Sequence, residues 1–183
     1  MQLYDPKLGF ARTLIWHWSE IRRGPDLVPN EGDLDWRELL PNAPVTTIMD
    51  VSKPGQSMID FMGYRIRARY PPDLGRHDNW YDFIPPDAVK KAETVVKFLV
   101  DTPCGVYYKY KITDGAGAVE TGEALVLPMK RHDPHKATIW ISLANIEGEG
   151  SLIASPVSLD SLSIEFVDIG AGVPEEQFVV ANP

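Results

Sequence analysis

The sequence predicts an α+β domain: one five-stranded antiparallel sheet with helices on one face and an amphipathic helix ahead of it. Three observations carry this expectation. Apolar residues alternate with polar ones in several short runs, as they do in strands with one buried and one wet face. Two other runs repeat apolar residues at three- and four-residue spacing, the period of a helix with one buried stripe. These runs come in the order helix, two strands, a helical insert, three strands.

Residues 1 to 7 are a polar lead-in. From Leu8, the positions Leu8, Ala11, Leu14, Ile15, Trp18 and Ile21 form one stripe, so a helix is expected over Leu8–Arg23, ended by Gly24 and Pro25. Trp16 lies about 100° or more from the middle of that stripe, given about 100° per residue. Either Trp16, with Phe10 at the stripe's edge, meets a second copy of the chain in a two-fold homodimer, or Leu162–Ile169 covers it within one chain. His17, one position from a core tryptophan, is read as a helix-surface residue.

A short helix is expected near Asp33–Leu40, capped by Asp33 or Asp35, the latter with Glu38 at capping-box spacing. Val45–Val51 reads as a strand, Lys53-Pro54-Gly55 as a turn, and Met58–Tyr70 as a long antiparallel return strand. In that return, Met58, Met62, Tyr64, Ile66 and Ala68 share one parity and Arg65, Arg67 and Arg69 the other, which assigns the arginines to the wet face. Pro71 and Pro72 stop the ladder, and Asp73 to Phe83 packs Trp80, Tyr81 and Phe83 into an irregular insert. Asp87–Asp101 is the clearest helix, with Ala88, Ala92, Val95, Val96 and Leu99 on one face.

Three strands follow: Gly105–Thr113, Val119–Met129 and Ala137–Asn145. In the first, Val106, Tyr108, Tyr110 and Ile112 oppose Tyr107, Lys109 and Lys111. Leu125, Leu127 and Met129 are in phase in the second, and Ile139, Ile141 and Leu143 in the third. From Ile146 the composition turns small and polar, which divides the chain into a domain over 1–146 and a linker with C-terminal extension over 147–183. Within the extension, Leu162–Ile169 either adds a strand or docks as a segment.

The 183 residues carry a net charge of −8, which disfavours nucleic acid and anionic membranes as partners. A single cysteine, Cys104, permits no internal disulfide and fits a reducing compartment. No signal-peptide pattern and no membrane-length apolar run is present, so a cytoplasmic protein is expected.

The run W-H-W-S-E-I-R-R-G-P-D-L-V-P (Trp16 to Pro29), the strand D-F-M-G-Y-R-I-R-A (Asp60 to Ala68) and E-A-L-V-L-P-M (Glu123 to Met129) resemble a family of bacterial stand-alone PAS domains, with Gly75 where that family's insert begins. The resemblance runs from about residue 10 to residue 146; Ala68 departs from it, standing where the family has glycine. It implies a five-stranded antiparallel sheet with helices over one face and a regulatory or sensory role, and it carries no catalytic residues. With no kinase, cyclase or DNA-binding segment following, output is expected to pass through a partner protein.

A PAS pocket takes a flavin, a haem or a small metabolite. Gly75-Arg76-His77-Asp78-Asn79-Trp80 is similar to the G-R-N-C-R-F loop of flavin-binding light sensors, but Asp78 stands at the place of the adduct-forming cysteine. The helix Asp87–Asp101 has no histidine to ligate a haem. No cofactor is therefore expected. His132-Asp133-Pro134-His135 reads as a hairpin turn before it reads as a metal site, since two ligands rarely suffice. The expected partner in the pocket is a small-molecule ligand, contacted by Tyr64, Tyr108 and Tyr110 from the strands and by His77, Asn79 and Trp80 from the insert. The rival reading is a small cone-shaped α+β enzyme of the ketosteroid-isomerase-like class, which needs a buried carboxylate base and a facing donor; Asp60 with Tyr108 is the pair to nominate.

Overall fold

A computed structural model describes residues 6–22, 27–131, 136–146 and 156–175. Six strands form one antiparallel sheet: β1 (Thr46–Asp50), β2 (Met58–Met62), β3 (Gly105–Asp114), β4 (Val119–Met129), β5 (Ile139–Ile146) and β6 (Pro156–Val167), in the spatial order β2-β1-β5-β4-β3-β6. The two-then-three split is as expected, and β1 pairs with both β2 and β5 inside the sheet. The segment around Leu162–Ile169 takes the strand alternative: β6 pairs along the whole outer edge of β3. The turn at 132–135, the helix end at 23–26 and the small polar stretch 147–155 lie outside the described residues.

The N-terminal helix begins as a 3-10 turn, Pro6–Ala11, and continues as α1 (Arg12–Glu20). Its stripe docks on its own sheet: Leu8, Ala11, Leu14 and Trp18 are buried with Leu125, Leu127, Met129, Ile139, Ile141 and Leu143. The Trp18 indole N–H donates to the Pro128 carbonyl (2.9 Å), so this tryptophan loses no hydrogen bond on burial. His17 corrects its surface assignment. It is buried, and its Nε2 accepts from the Asp35 N–H (2.8 Å), tying α1 to α2 (Trp36–Leu39). Asp35 caps α2 by accepting from the Arg37 N–H (2.9 Å).

The long return strand is the main correction. β2 ends at Met62, and residues Tyr64–Arg67 form a single helical turn, α3, with Gly63 as its N-cap and Ala68 as its C-cap. A Cβ on Gly63 would strike the backbone of Ala43 and Pro44, so only glycine lets the chain turn off the sheet edge here. The alternation over residues 64–69 is short enough to be one helical turn, and Arg, Ile and Ala are content in either state. As a result Tyr64 points to solvent, and Arg69, assigned to a wet face, is buried.

The sheet's second face is covered by α4 (Pro86–Asp101) and by the insert between β2 and α4. Ala88, Ala92, Val95, Val96 and Leu99, the predicted stripe, all face inward. Helices therefore lie on both faces: α1 on the face of Leu125 and Ile141, α4 on the face of Tyr108 and Trp140.

Candidate functional site

A cavity of about 180 Å³ lies between the second face of the sheet, α4 and the insert. Its floor comes from alternate residues of β1, β5, β4, β3 and β6, including Thr47, Ser142, Ala124, Tyr108, Tyr110 and Ile164. Parity dictates this: the residues between them form the packed face under α1. Its roof is the inward stripe of α4 together with Ile66, Tyr70, Trp80 and Tyr81. The wall is mainly apolar with a few polar groups, as in ligand pockets generally.

Thr47, Ser57, Ser142 and Ser161 are scattered over the wall, and a larger polar group gathers around β3. Tyr108 and Tyr110 are neighbours on one face of β3, ring centroids 5.9 Å apart. Tyr110 packs across Gly122 of β4; a Cβ there would lie 2.5 Å from the Tyr110 hydroxyl, so the glycine leaves room for the ring. Beside them Arg69 and Glu120, 7% and 5% exposed, form a bidentate pair: Nε donates to Oε1 and Nη2 to Oε2, both at 2.6 Å. The remaining guanidinium nitrogen Nη1 donates to the Arg65 carbonyl, so each nitrogen of the buried guanidinium has a partner. The Tyr70 hydroxyl accepts from the Trp80 indole N–H (2.9 Å). Among the described residues, the Tyr108 and Tyr110 hydroxyls have no hydrogen-bond partner.

Burial keeps these phenols protonated. Desolvation is the first cause raising Tyr70, Tyr108 and Tyr110 above the ordinary tyrosine value; Tyr70 adds to the effect on Tyr108, and Tyr108 and Glu120 add to it on Tyr110. Tyr81 is pushed up to about 12 by burial, then by the Glu93 charge. Cys104 is buried beside Leu99 and Val106, and its thiol is pushed up to about 12 by burial and the Asp168 charge, so it is a packing residue rather than a nucleophile.

The six predicted contact residues divide evenly. Trp80, Tyr108 and Tyr110 line the cavity. Tyr64 does not, being 71% exposed on α3. His77 lies on the surface in a left-handed conformation (φ 71°), its Nδ1 3.8 Å from Asp60 Oδ1. Asn79 is spent on structure: its Oδ1 accepts from the Ser57 N–H (2.9 Å) and the Tyr81 N–H (3.4 Å), pinning the insert to the start of β2. Sequence reasoning missed Arg69, Tyr70 and Trp140 as wall residues. Trp140 was legible, since it alternates with the in-phase Ile139 and Ile141; its indole N–H is buried without a partner among the described residues.

The pair nominated for enzyme chemistry is not assembled. Asp60 lies outside the cavity that Tyr108 lines, and Arg131 Nη2 holds its carboxylate at 2.5 Å. The same guanidinium binds Glu31 (Nη2 to Oε1, 2.6 Å) and reaches Asp50 (3.4 Å). Trp16 is 56% exposed, uncovered by β6, whereas Phe10 packs against the core. Among the described residues no helix is long and apolar enough to cross a membrane, and no group of three or more His, Cys, Asp or Glu residues is placed to hold a metal ion.

No family model and no curated protein matches the chain. Solved structures do. The d2 variant of RsLOV is similar at TM-score 0.43 and 13% identity, over 58% of this chain and 60% of that one. The LOV protein of Rhodobacter sphaeroides is similar at TM-score 0.44 and 11% identity, over 64% of this chain and 71% of that one. The LOV domain of a blue-light activated histidine kinase from Erythrobacter litoralis is similar at TM-score 0.38 and 15% identity, over 57% and 95%.

Proposed function

We propose that this chain is a sensory domain of PAS-like architecture that holds a small molecule in the cavity under α4 and passes its state to a partner protein. The observation that carries this reading is a pair of tyrosine hydroxyls, Tyr108 and Tyr110, without protein partners among the described residues, on a mainly apolar cavity wall. Buried polar groups are hydrogen-bonded as a rule, and an unpaired hydroxyl on a cavity wall is explained by something in the cavity. The roof offers a route for the signal: α4 and the insert touch any occupant and form part of the surface. The enzyme reading gains no such support, with Asp60 tied to Arg131.

The exposed Trp16 supports a second partner, another copy of this chain meeting at α1, because tryptophan is enriched among residues that dominate binding energy. The free, buried Cys104 is consistent with a reducing, cytoplasmic setting. Native mass spectrometry of freshly purified protein tests the main reading. A retained small molecule, released on denaturation, is expected. A bare chain that takes up nothing from a cell extract and shows no extract-dependent thermal shift overturns it.

A further inference from the structure

We propose that the occupant is a neutral molecule the size of a single ring, with an apolar body under α4 and one oxygen acceptor, of the carbonyl type, taken by the Tyr108 and Tyr110 hydroxyls. This deepens the ligand-binding reading above and rests on it. Size comes first. The cavity measures about 180 Å³. An engineered apolar cavity of about 150 Å³ accepts benzene, so this one takes one substituted ring and not a fused multi-ring cofactor.

Charge comes next. Among the described residues Arg69 is the one buried cation in the wall, and Glu120 occupies its guanidinium fork with two 2.6 Å bonds. The fork that would seize a carboxylate or phosphate is already filled, and opening it would strand Glu120, 5% exposed, without its partner. Lys91 also borders the cavity, but from the exposed side of α4, where water screens it. Among the described lining residues, an anion thus finds no free buried cation, and a cation finds no free buried carboxylate.

The two hydroxyls follow. Tyr110 is 6% exposed, and neither it nor Tyr108 spends its hydroxyl within the protein, among the described residues. Burial holds both as phenols, so both are donors at neutral pH. Two donors on neighbouring rings, centroids 5.9 Å apart, suit an oxygen with two lone pairs. Val95, Val96, Val126 and Ile164 offer apolar surface to the rest of the molecule.

The test uses the full chain and three probes of similar size: acetophenone, ethylbenzene and benzoate, titrated by protein-observed NMR. Acetophenone is expected to bind about three- to tenfold tighter than ethylbenzene, the worth of a hydrogen bond between neutral groups. Benzoate is expected to bind weakest. In Tyr108→Phe/Tyr110→Phe, which keeps both rings, the acetophenone preference should vanish while ethylbenzene affinity holds. Equal binding of acetophenone and ethylbenzene to the unmodified chain, or tightest binding by benzoate, overturns this inference and leaves the ligand-binding reading standing. A preference that survives in the double variant overturns it as well. If no probe binds, the cavity reading and the inference fall together.

Discussion

The two faces of one sheet are packed differently. Under α1, strands β4 and β5 present Leu125, Leu127, Met129, Ile139 and Ile141, none measurably exposed, and the face is closed by Trp18. Under α4, the alternate residues of the same strands are Ala124, Val126, Trp140, Ser142 and Ala144, which mix small and very large side chains. Close packing needs interdigitating side chains of matched volume, and the first face supplies them. The second does not, and a cavity results, with two hydroxyls unspent among the described residues. A strand can therefore carry a closely packed core on one parity and a cavity wall on the other, separated by one residue step.

The largest break in this comparison is expected at the cavity's ion pair. Glu120→Ala leaves Arg69 charged, buried and unpaired, and should cost about 3–5 kcal/mol in urea unfolding. Replacing both partners with apolar residues, Arg69→Met/Glu120→Leu, should recover most of that loss, because the cost lies in stranding one charge. A single variant as stable as the parent would show that water reaches the pair.

The packed face should respond to lost volume. Leu127→Ala, at a fully buried position, is expected to cost about 3 kcal/mol, within the range for removing a core leucine, with no change in ligand affinity. A shift below about 1 kcal/mol would mean that the α1 face is as loose as the other.

Alkaline pH sharpens the contrast again. Tyr108 and Tyr110 keep their protons above the ordinary tyrosine value because burial penalises the phenolate. The unfolded chain loses those protons from about pH 10, so above that pH the folded state binds more protons and stability falls. Each such tyrosine contributes a loss of about 1.4 kcal/mol per pH unit. Tyr110→Phe should remove one share of that slope between pH 10 and pH 11.5, measured by urea unfolding. An unchanged slope would mean that Tyr110 titrates normally when folded.

How much of this could be read beforehand depends on what sets each residue's place. Strand parity placed Tyr108 and Tyr110 under α4, and helical spacing placed Ala88, Ala92, Val95, Val96 and Leu99 over them, because those periods are local. Tyr64 and Arg69 were misplaced because a turn at Gly63, forced by the nearby backbone of Ala43 and Pro44, is a tertiary fact. The Arg69–Glu120 pair joins residues 51 apart in the chain and has no sequence signal. His17 looked like a surface residue because its partner, the Asp35 N–H, arrives only when α2 folds against α1.

The smallest effect is the most telling about the cavity. Ala124 sits mid-strand on β4, opposite Tyr108 and Ala144, and lines the open space. Valine favours a strand, and its two added carbons enter a void rather than a filled core. Burying them is worth up to about 1.5 kcal/mol at about 0.8 kcal/mol per carbon, less the strain of imperfect fit. Ala124→Val is thus expected to leave stability unchanged or to raise it by up to about 1 kcal/mol, as cavity-filling substitutions do. It should also weaken binding of any ring-sized occupant, since it takes volume from a space of about 180 Å³. The two readouts must move apart: melting temperature level or up, affinity down. Loss of stability would mean that Ala124 is already in full contact, as residues are on the α1 face. The asymmetry between the faces would then lie in composition alone and not in packing.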